Sequence, residues 1–334
     1  MKKIAIAILL VVCMVFIAIG CPKPAAPQVI TARFSGWGPP PSIPGQVEMH
    51  FFDLLKERVG DRLQIDVFQG NTLYNYQEVQ LPLKTGAVEM ASFGTIELYE
   101  WVPKFKVTTL TGAWTTDELL EYLNSPDCKP AWDQMLEVAN CIPFALHPAG
   151  TFFLWSTKPV SSTAGFNGLR VECGSFEQVD VIKDLGGSGG ALPVTDIYTA
   201  LQQGQYDAAI GTPSIALGFG WPEFVKYVSP TQAWFSNINV ILVNKDFWDS
   251  LPKDIQNTFK ETADETTEWS RTFSPQAETG QLQAVAGKWS TEDFSISDWD
   301  TVINTAQTQV WPGIRTEVGA DFFDKALSYT EAAK

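Results

Sequence analysis

Histidine is nearly missing from this chain, with only His50 and His147 among 334 residues. A metal site built on imidazole, or a Ser-His-Asp relay, has almost nothing to draw on. Positive charge is also scarce: 23 Lys+Arg stand against 38 Asp+Glu, a formal charge of −15. No long basic stretch offsets that balance. Such a chain repels phosphate and is a poor nucleic-acid binder. Cysteine is sparse, five residues without a Cys-x-x-Cys spacing, so zinc and redox motifs of that type are excluded. No Gly-Lys-Ser/Thr occurs and no G-x-G-x-x-G opens a helix after a strand, which excludes the phosphate-cradling loops. No cofactor is expected. The apolar run Ile4–Ile19 has 16 residues, short of the roughly 20 that a membrane span needs.

What is present describes a folded chain: 45% hydrophobic and 12% aromatic residues with 18% charged. That composition excludes global disorder, and the length suggests two domains, each with its own core. The N-terminus reads as an address. Lys2 and Lys3 precede the apolar run, and Gly20-Cys21 follows it, the arrangement of a secretory signal. Ala18-Ile19-Gly20-Cys21 resembles a bacterial lipobox, which implies removal of residues 1–20 and a lipid on Cys21. An ordinary signal with a coincidental cysteine, or a plain N-terminal anchor, is the alternative. Residues 21–28 carry Pro22, Pro24 and Pro27 and read as a stiff tether. The expected location is extracytoplasmic, in the periplasm or at the cell surface, held to a membrane by lipidated Cys21. Cys13 falls in the signal, leaving Cys128, Cys141 and Cys173. An oxidising compartment allows a Cys128–Cys141 bridge, but a predicted helix between the two would hold them apart.

Periodicity organises the rest. Ile30–Ser35 is a predicted strand, closed by Gly36-Trp37-Gly38. Val47, Phe51, Leu54, Leu55 and Val59 give Gln46–Val59 a helical stripe. Leu63, Ile65 and Val67 alternate, so Leu63–Phe68 is a strand. A helix over Gln77–Thr85 and a strand over Val88–Phe93 follow. This β-α-β-α-β order predicts a mostly parallel sheet with helices on both faces. A second unit begins near residue 165: strand Gly168–Cys173, helix Glu177–Leu185, helix Asp196–Gln203 capped by Thr195, and strand Tyr206–Ile210. The segments Leu83–Ala91 and Leu201–Ala209 both run from helix end through a Gly stop into small residues entering a strand, as two lobes with one similar unit each would do. Asn237–Asn244 is a strand. Pro252 to about Phe273 is a long helix, with further helices over Thr279–Trp289, Asp298–Thr308 and Glu317–Ala333.

Together these residues resemble the DctP-type extracytoplasmic solute receptors of TRAP transporters. The resemblance is carried by Lys158-Pro159-Val160, Gly168-Leu169-Arg170-Val171, Leu185-Gly186, Pro193-Val194, the run Asp196–Gly204, Asp207-Ala208, and Leu242–Pro252. Asp207–Phe219 is similar to a subgroup for oxo acids and related carboxylates. The resemblance implies an α/β, two-lobed periplasmic-binding-protein-like fold with central mixed sheets, hinge strands and a long domain-spanning helix. The lobes are expected at about 29–153 plus 242–270, and about 154–241 plus parts of 271–334. A small organic ligand would be caught between them and passed to a membrane permease of one small and one large subunit.

The chain departs from the family where the ligand would sit. The resemblance implies an Arg at the end of the Gly168–Val171 strand, clamping a carboxylate, and Glu172 stands there instead. It implies a second Arg two residues after a Gly, and Phe152 takes that place after Gly150. The subgroup's Glu-Trp pair is replaced by Ile210-Gly211. Two like charges about 4 Å apart repel by roughly 4 kcal/mol at an effective dielectric near 20, so a simple carboxylate facing Glu172 is disfavoured. A neutral polyhydroxylated or amine-bearing ligand, aromatic or not, is expected. Trp37, Tyr74, Phe93, Phe152 and Trp234 are candidate stacking faces, and Thr212 lies near where the resemblance implies a ligand-binding Asn. The competing reading makes the aromatics core. Arg170 and Glu172 share a strand face, so Arg170 either neutralises Glu172 in an internal pair or itself reaches the ligand.

Enzyme readings are weak. Gly186–Gly190 formally matches G-x-S-x-G, but a helix precedes the Ser and a short strand follows, the reverse of a nucleophile elbow. Asp298 and Asp300 are paired carboxylates on a predicted surface turn. A transport receptor, a ligand sensor feeding a signalling partner, and a lipid-anchored hydrolase stay open, and no catalytic or metal-binding residue is expected under the first.

Overall fold

A computed structural model describes residues 29–75, 77–289 and 291–330. The expected signal, Cys21 and tether lie outside the described residues. Ten strands are β1 (Ile30–Ser35), β2 (Leu63–Phe68), β3 (Met90–Gly94), β4 (Cys141–Ser156), β5 (Arg170–Glu172), β6 (Ser188–Gly190), β7 (Ala208–Gly211), β8 (Tyr227–Val228), β9 (Phe235–Asn244) and β10 (Glu292–Asp293). They form a sheet in the order β2-β1-β3-β9-β4-β7-β5-β6, with β8 and β10 off that path. β1, β2 and β3 are parallel to one another, as are β5, β6 and β7. The parallel pairing read from periodicity holds within each group, and the mixed sheet that the resemblance implies holds for the whole. β9 runs antiparallel to β3 and β4, and β4 antiparallel to β7, so the whole is mixed.

The two parallel groups are the sheets of two lobes, and β4 and β9 join them. β4 pairs with β9 from Cys141 to Phe152 and then with β7 from Phe153 to Ser156, so one strand leaves one sheet and enters the other. Periodicity does not mark β4, because Pro143 and Pro148 lack ladder donors. Its pairing with β9 slips twice, between Phe144 and His147 and between Pro148 and Gly150. Ala145 and Gly150 take positive φ at these slips, 46° and 115°. Bulges of this kind let a strand change direction.

The first helix, Ile43–Val59, begins a turn earlier than its apolar stripe predicts. Ser42 caps it by accepting from the Gly45 N–H, and Pro44 occupies the first turn, where its missing donor does no harm. The predicted helix over Gln77–Thr85 shrinks to Gln80–Lys84, because the Asn75 Oδ1 takes the Gln77 and Glu78 N–H groups in a turn. Thr195 does not cap its helix. That helix spans Val194–Gln202 with Pro193 at its N-cap, and the Thr195 hydroxyl donates to Asp196.

The two helices predicted over Pro252–Phe273 and Thr279–Trp289 are one. Lys253–Trp289 is a single 37-residue helix with Pro275 inside it, about 55 Å long at 1.5 Å per residue. Side chains flanking the proline dock it on its neighbours: the Ser274 hydroxyl donates to the Pro148 carbonyl and Glu278 accepts the Thr151 N–H. Towards its start, Ile255, Phe259 and Ala263 pack in a core with Phe34 and Phe51; towards its end, Val285 packs with Trp155 and Trp221. The helix therefore touches both lobes. Among the described residues no helix is long and apolar enough to cross a membrane. Cys128, Cys141 and Cys173 are all buried free thiols, with the helix Lys129–Ala139 separating the first two.

Candidate functional site

A cavity of about 190 Å³ opens where the two groups of parallel strands end. Crevices beyond the carboxyl ends of parallel strands are where open α/β folds hold ligands. Trp37 follows β1, Asn71 follows β2 and Glu97 follows β3 on one side; on the other, Ser175 follows β5, Leu192 follows β6 and Trp221 lies beyond β7. Phe152 of β4 and Asn237 of β9 complete the wall from the joining strands.

Local chemistry fixes these positions. The turn carrying Trp37 is tied to the end of β2 and the loop after it by Gly36 N–H to Phe68 O and Gly70 N–H to Gly38 O, 2.8 and 3.1 Å. Only glycine fits at Gly36, since a Cβ there would meet the Glu48 carboxylate and the Phe34 ring, both at 2.8 Å. Glu97 closes the turn after β3 by accepting the Gly94 N–H at 3.0 Å. Phe152 lies flat on Phe235, centroids 4.2 Å apart, and turns its edge to Gly174. The glycines of 186–190 let a short strand lie close against its neighbours: a Cβ on Gly189 would meet the Val179 Cα at 2.8 Å. Packing, not a nucleophile elbow, accounts for that motif.

The electrostatics of the wall are one-sided. Glu97, Glu100 and Glu172 face it, and none of the described residues lining it is Lys, Arg or His. Glu172 is buried. Its Oε1 accepts a long 3.4 Å bond from the Leu192 N–H, and its Oε2 has no partner among the described residues. Burial pushes this carboxyl up to about 8, against a small opposing effect of the Leu192 bond. Burial likewise pushes Glu97 up to about 8, with the Gly94 N–H opposing and Glu100 adding to the rise. The Glu100 carboxyl, at the exposed rim, is raised as well, by the partial desolvation it meets there. Asn71 Oδ1, Asn237 Oδ1, and the indole N–H groups of Trp37 and Trp221 are further buried polar atoms on this wall without partners among the described residues.

Of the residues singled out from sequence, Trp37, Phe152 and Glu172 line the cavity and the other five do not. Phe93 is 1% exposed and meets Trp101 edge-on; Trp234 is fully buried between Phe166 and Trp299. Both rings are core: β3 turns Phe93 away from the crevice, and Trp234, in the bend just before β9, packs inward. Tyr74 packs partly buried against that core, and its carbonyl accepts from Ser35. Thr212 caps the helix Pro213–Gly218 by accepting the Ile215 N–H. Arg170 neither neutralises Glu172 nor reaches the cavity. It sits exposed on the surface in a two-pronged pair with Asp207, 2.9 and 2.8 Å. Arg170→Ala should therefore leave ligand affinity unchanged within about twofold; a titration showing a larger loss would return Arg170 to the site. Glu97, Glu100 and Trp221 escaped the sequence reading. The signal that finds Glu97 is position alone, three residues past the end of a parallel strand.

The model of the DctP family, bacterial extracellular solute-binding protein family 7, matches residues 36–307. The chain belongs to this family. Among curated DctP-family relatives, the C4-dicarboxylate-binding periplasmic protein DctP of Rhodobacter capsulatus is 22% identical over 316 residues, 93% of this chain and 91% of that protein. The C4-dicarboxylate-binding protein DctB of Bacillus subtilis is 23% identical over 74% of this chain and 71% of its own length. Among solved structures, a TRAP periplasmic solute-binding protein of Chromohalobacter salexigens with bound D-glucuronate aligns at TM-score 0.81 and 18% identity, covering 91% of this chain and all of that one. One of Shewanella oneidensis with bound succinate aligns at TM-score 0.81 and 15% identity, covering 92% and 100%. The likeness fixes the two-lobed fold, and membership makes this DctP-family chain a solute-binding receptor and not an enzyme.

Proposed function

We propose that this receptor captures a small organic molecule in the cavity between its lobes and delivers it to a TRAP permease of one small and one large membrane subunit. Residues of about 29–153 plus 242–270 form one lobe in this reading, and about 154–241 plus parts of 271–334 the other. Lipid on Cys21 and the tether over 21–28 hold the receptor at the membrane outside the cytoplasm. One observation carries the reading: the cavity wall is drawn from the strand ends of both sheets, so closing one lobe on the other wraps the ligand. Such closure couples occupancy to shape, which is what a permease must sense.

The relatives and neighbours named above bind C4-dicarboxylates, glucuronate or succinate. A ligand clamped by guanidinium does not suit this wall, which carries three glutamates and no cation among its described residues. Glu172 and Phe152 occupy the places where the family resemblance implies arginines. Native mass spectrometry of protein extracted from membranes should show a lipid-modified N-terminal Cys21 and one retained small molecule. Solution scattering should show a more compact particle when that molecule is added back. An unmodified mass would remove the anchor; absence of any retained molecule together with an unchanged scattering profile would remove the receptor reading.

A further inference from the structure

We infer that the ligand is a small organic cation, an ammonium group held by Glu172 and Glu97 with aromatic rings about its body. This rests on the reading of the cavity as the receptor's ligand site and names the chemistry that site selects. An ammonium brings three donors and no acceptor. The wall offers the matching set: Glu172 Oε2, Asn71 Oδ1 and Asn237 Oδ1 are buried acceptor oxygens without partners among the described residues. Trp37, Tyr99, Phe152 and Trp221 line the same space, and the faces of such rings attract cations. Glu100, exposed beside Glu97, adds negative charge at the wall.

Helix starts that would favour an anion are offset, while the indole N–H groups of Trp37 and Trp221 stay unpartnered donors on this wall among the described residues. Two helices of nine residues, Phe176–Asp184 and Val194–Gln202, begin at the cavity, and helix starts carry partial positive charge. At the first, the Gly174 N–H is taken by Gln178 and the Gln178 N–H by Ser175, and Glu177 lies in the first turn. At the second, the Leu192 N–H is given to Glu172, the Asp196 N–H to Pro193, and Asp196 lies in the first turn. The cation behind the wall is engaged elsewhere: Lys106 lies 5.8 Å from the Tyr99 ring centre but bonds Glu317 at 2.7 Å and neighbours Glu177 at 4.0 Å.

Capture should then be linked to proton release. With both carboxyls pushed up to about 8 by burial, each is mostly protonated at neutral pH. An arriving ammonium favours the carboxylate, so each Glu–COOH that pairs with R–NH3+ becomes Glu–COO− and gives one proton to the solvent. The groups facing Glu97 are Glu100 and the Gly94 N–H; those facing Glu172 are Tyr206, Cys173 and the Leu192 N–H. None supplies a competing positive side chain. Affinity should rise with pH up to about 8, by as much as about tenfold per pH unit for each proton released.

The test uses the full mature receptor. The co-purifying molecule is released by denaturation and identified by mass, and ethanolamine, putrescine, phenylethylamine, succinate and glucose are titrated calorimetrically. Titrations at pH 7 in phosphate and in Tris count protons from the difference in heat. The expected result is an amine as the co-purifying molecule, binding of at least one of the three ammonium probes, and release of about one to two protons, falling by about one in Glu172→Gln. Succinate binding with proton uptake would mean that the protonated glutamates donate to an acid; it overturns the inference and leaves the receptor reading standing. Glucose binding without proton exchange does the same. An ammonium probe that binds equally well to Glu172→Gln and to Glu97→Gln also overturns it. Failure of all five probes, with no co-purifying molecule, sinks this inference and the receptor reading together.

Discussion

Glu172→Arg is expected to lower affinity for the co-purifying ligand by about a thousandfold or more. The figure follows from charge. A unit charge about 4 Å away contributes roughly 4 kcal/mol at an effective dielectric near 20, and every 1.4 kcal/mol is about tenfold in Kd. The substitution removes an attraction and introduces a repulsion at one point of a wall that holds no other cation among its described residues. The new guanidinium would face Glu97 and Glu100 across the cavity, and it would stand where the family resemblance implies a carboxylate clamp. Weak binding of succinate or glucuronate by the variant is therefore expected. Glu172→Gln keeps the shape and is the control for folding; it should lose about ten- to a hundredfold. Calorimetric titration of both, with circular dichroism to check the fold, decides the matter. Unchanged affinity in both variants would take Glu172 out of the site.

The sequence exposed Glu172 because it sits at a fixed step past a recognisable strand, and the resemblance supplied the register. Glu97 had no such frame. Its loop, Gly94-Thr95-Ile96-Glu97, becomes part of a site only when β9 brings β3 beside β4. The aromatics show the same limit. A ring in a strand signals burial, but not whether the buried face is core or crevice. Phe152 and Phe93 both lie on central strands, yet only Phe152 turns towards the cavity. Local pattern did fix β1 and β2, whose residues alternate or run apolar between clear turns. It lost β4, whose Pro143 and Pro148 read as breakers although β9 and β7 supply the pairing that holds the strand. It also split the long helix at Pro275, because a proline's missing donor is visible in sequence while the docking of Ser274 and Glu278 onto β4 is not.

Phe259→Ala tests the mechanical half of the molecule, the docking of that helix. Phe259 is fully buried, and its ring meets Phe51, Phe144 and Trp248 edge-on at centroid distances of 5.0, 4.9 and 5.6 Å. These three partners come from the first helix, from β4 and from the short helix Lys245–Ser250, so one side chain joins three elements to the long helix. Removing a buried Phe destabilises by roughly 3–5 kcal/mol, as transfer free energy plus the cavity left behind. For a chain of this size that corresponds to a fall in Tm of about 5–15 °C, read by calorimetry or urea unfolding. Phe259→Leu should lose well under half as much, since most of the volume is kept. Ligand affinity should hardly move in either variant, because Phe259 does not line the cavity. Glu172→Gln is expected to show the opposite pattern, with affinity lost and stability largely kept. A loss below about 1 kcal/mol in Phe259→Ala would mean that the aromatic cluster does not anchor the helix. The link between the lobes would then rest on the polar ties at Ser274 and Glu278 and on the apolar contact at Val285.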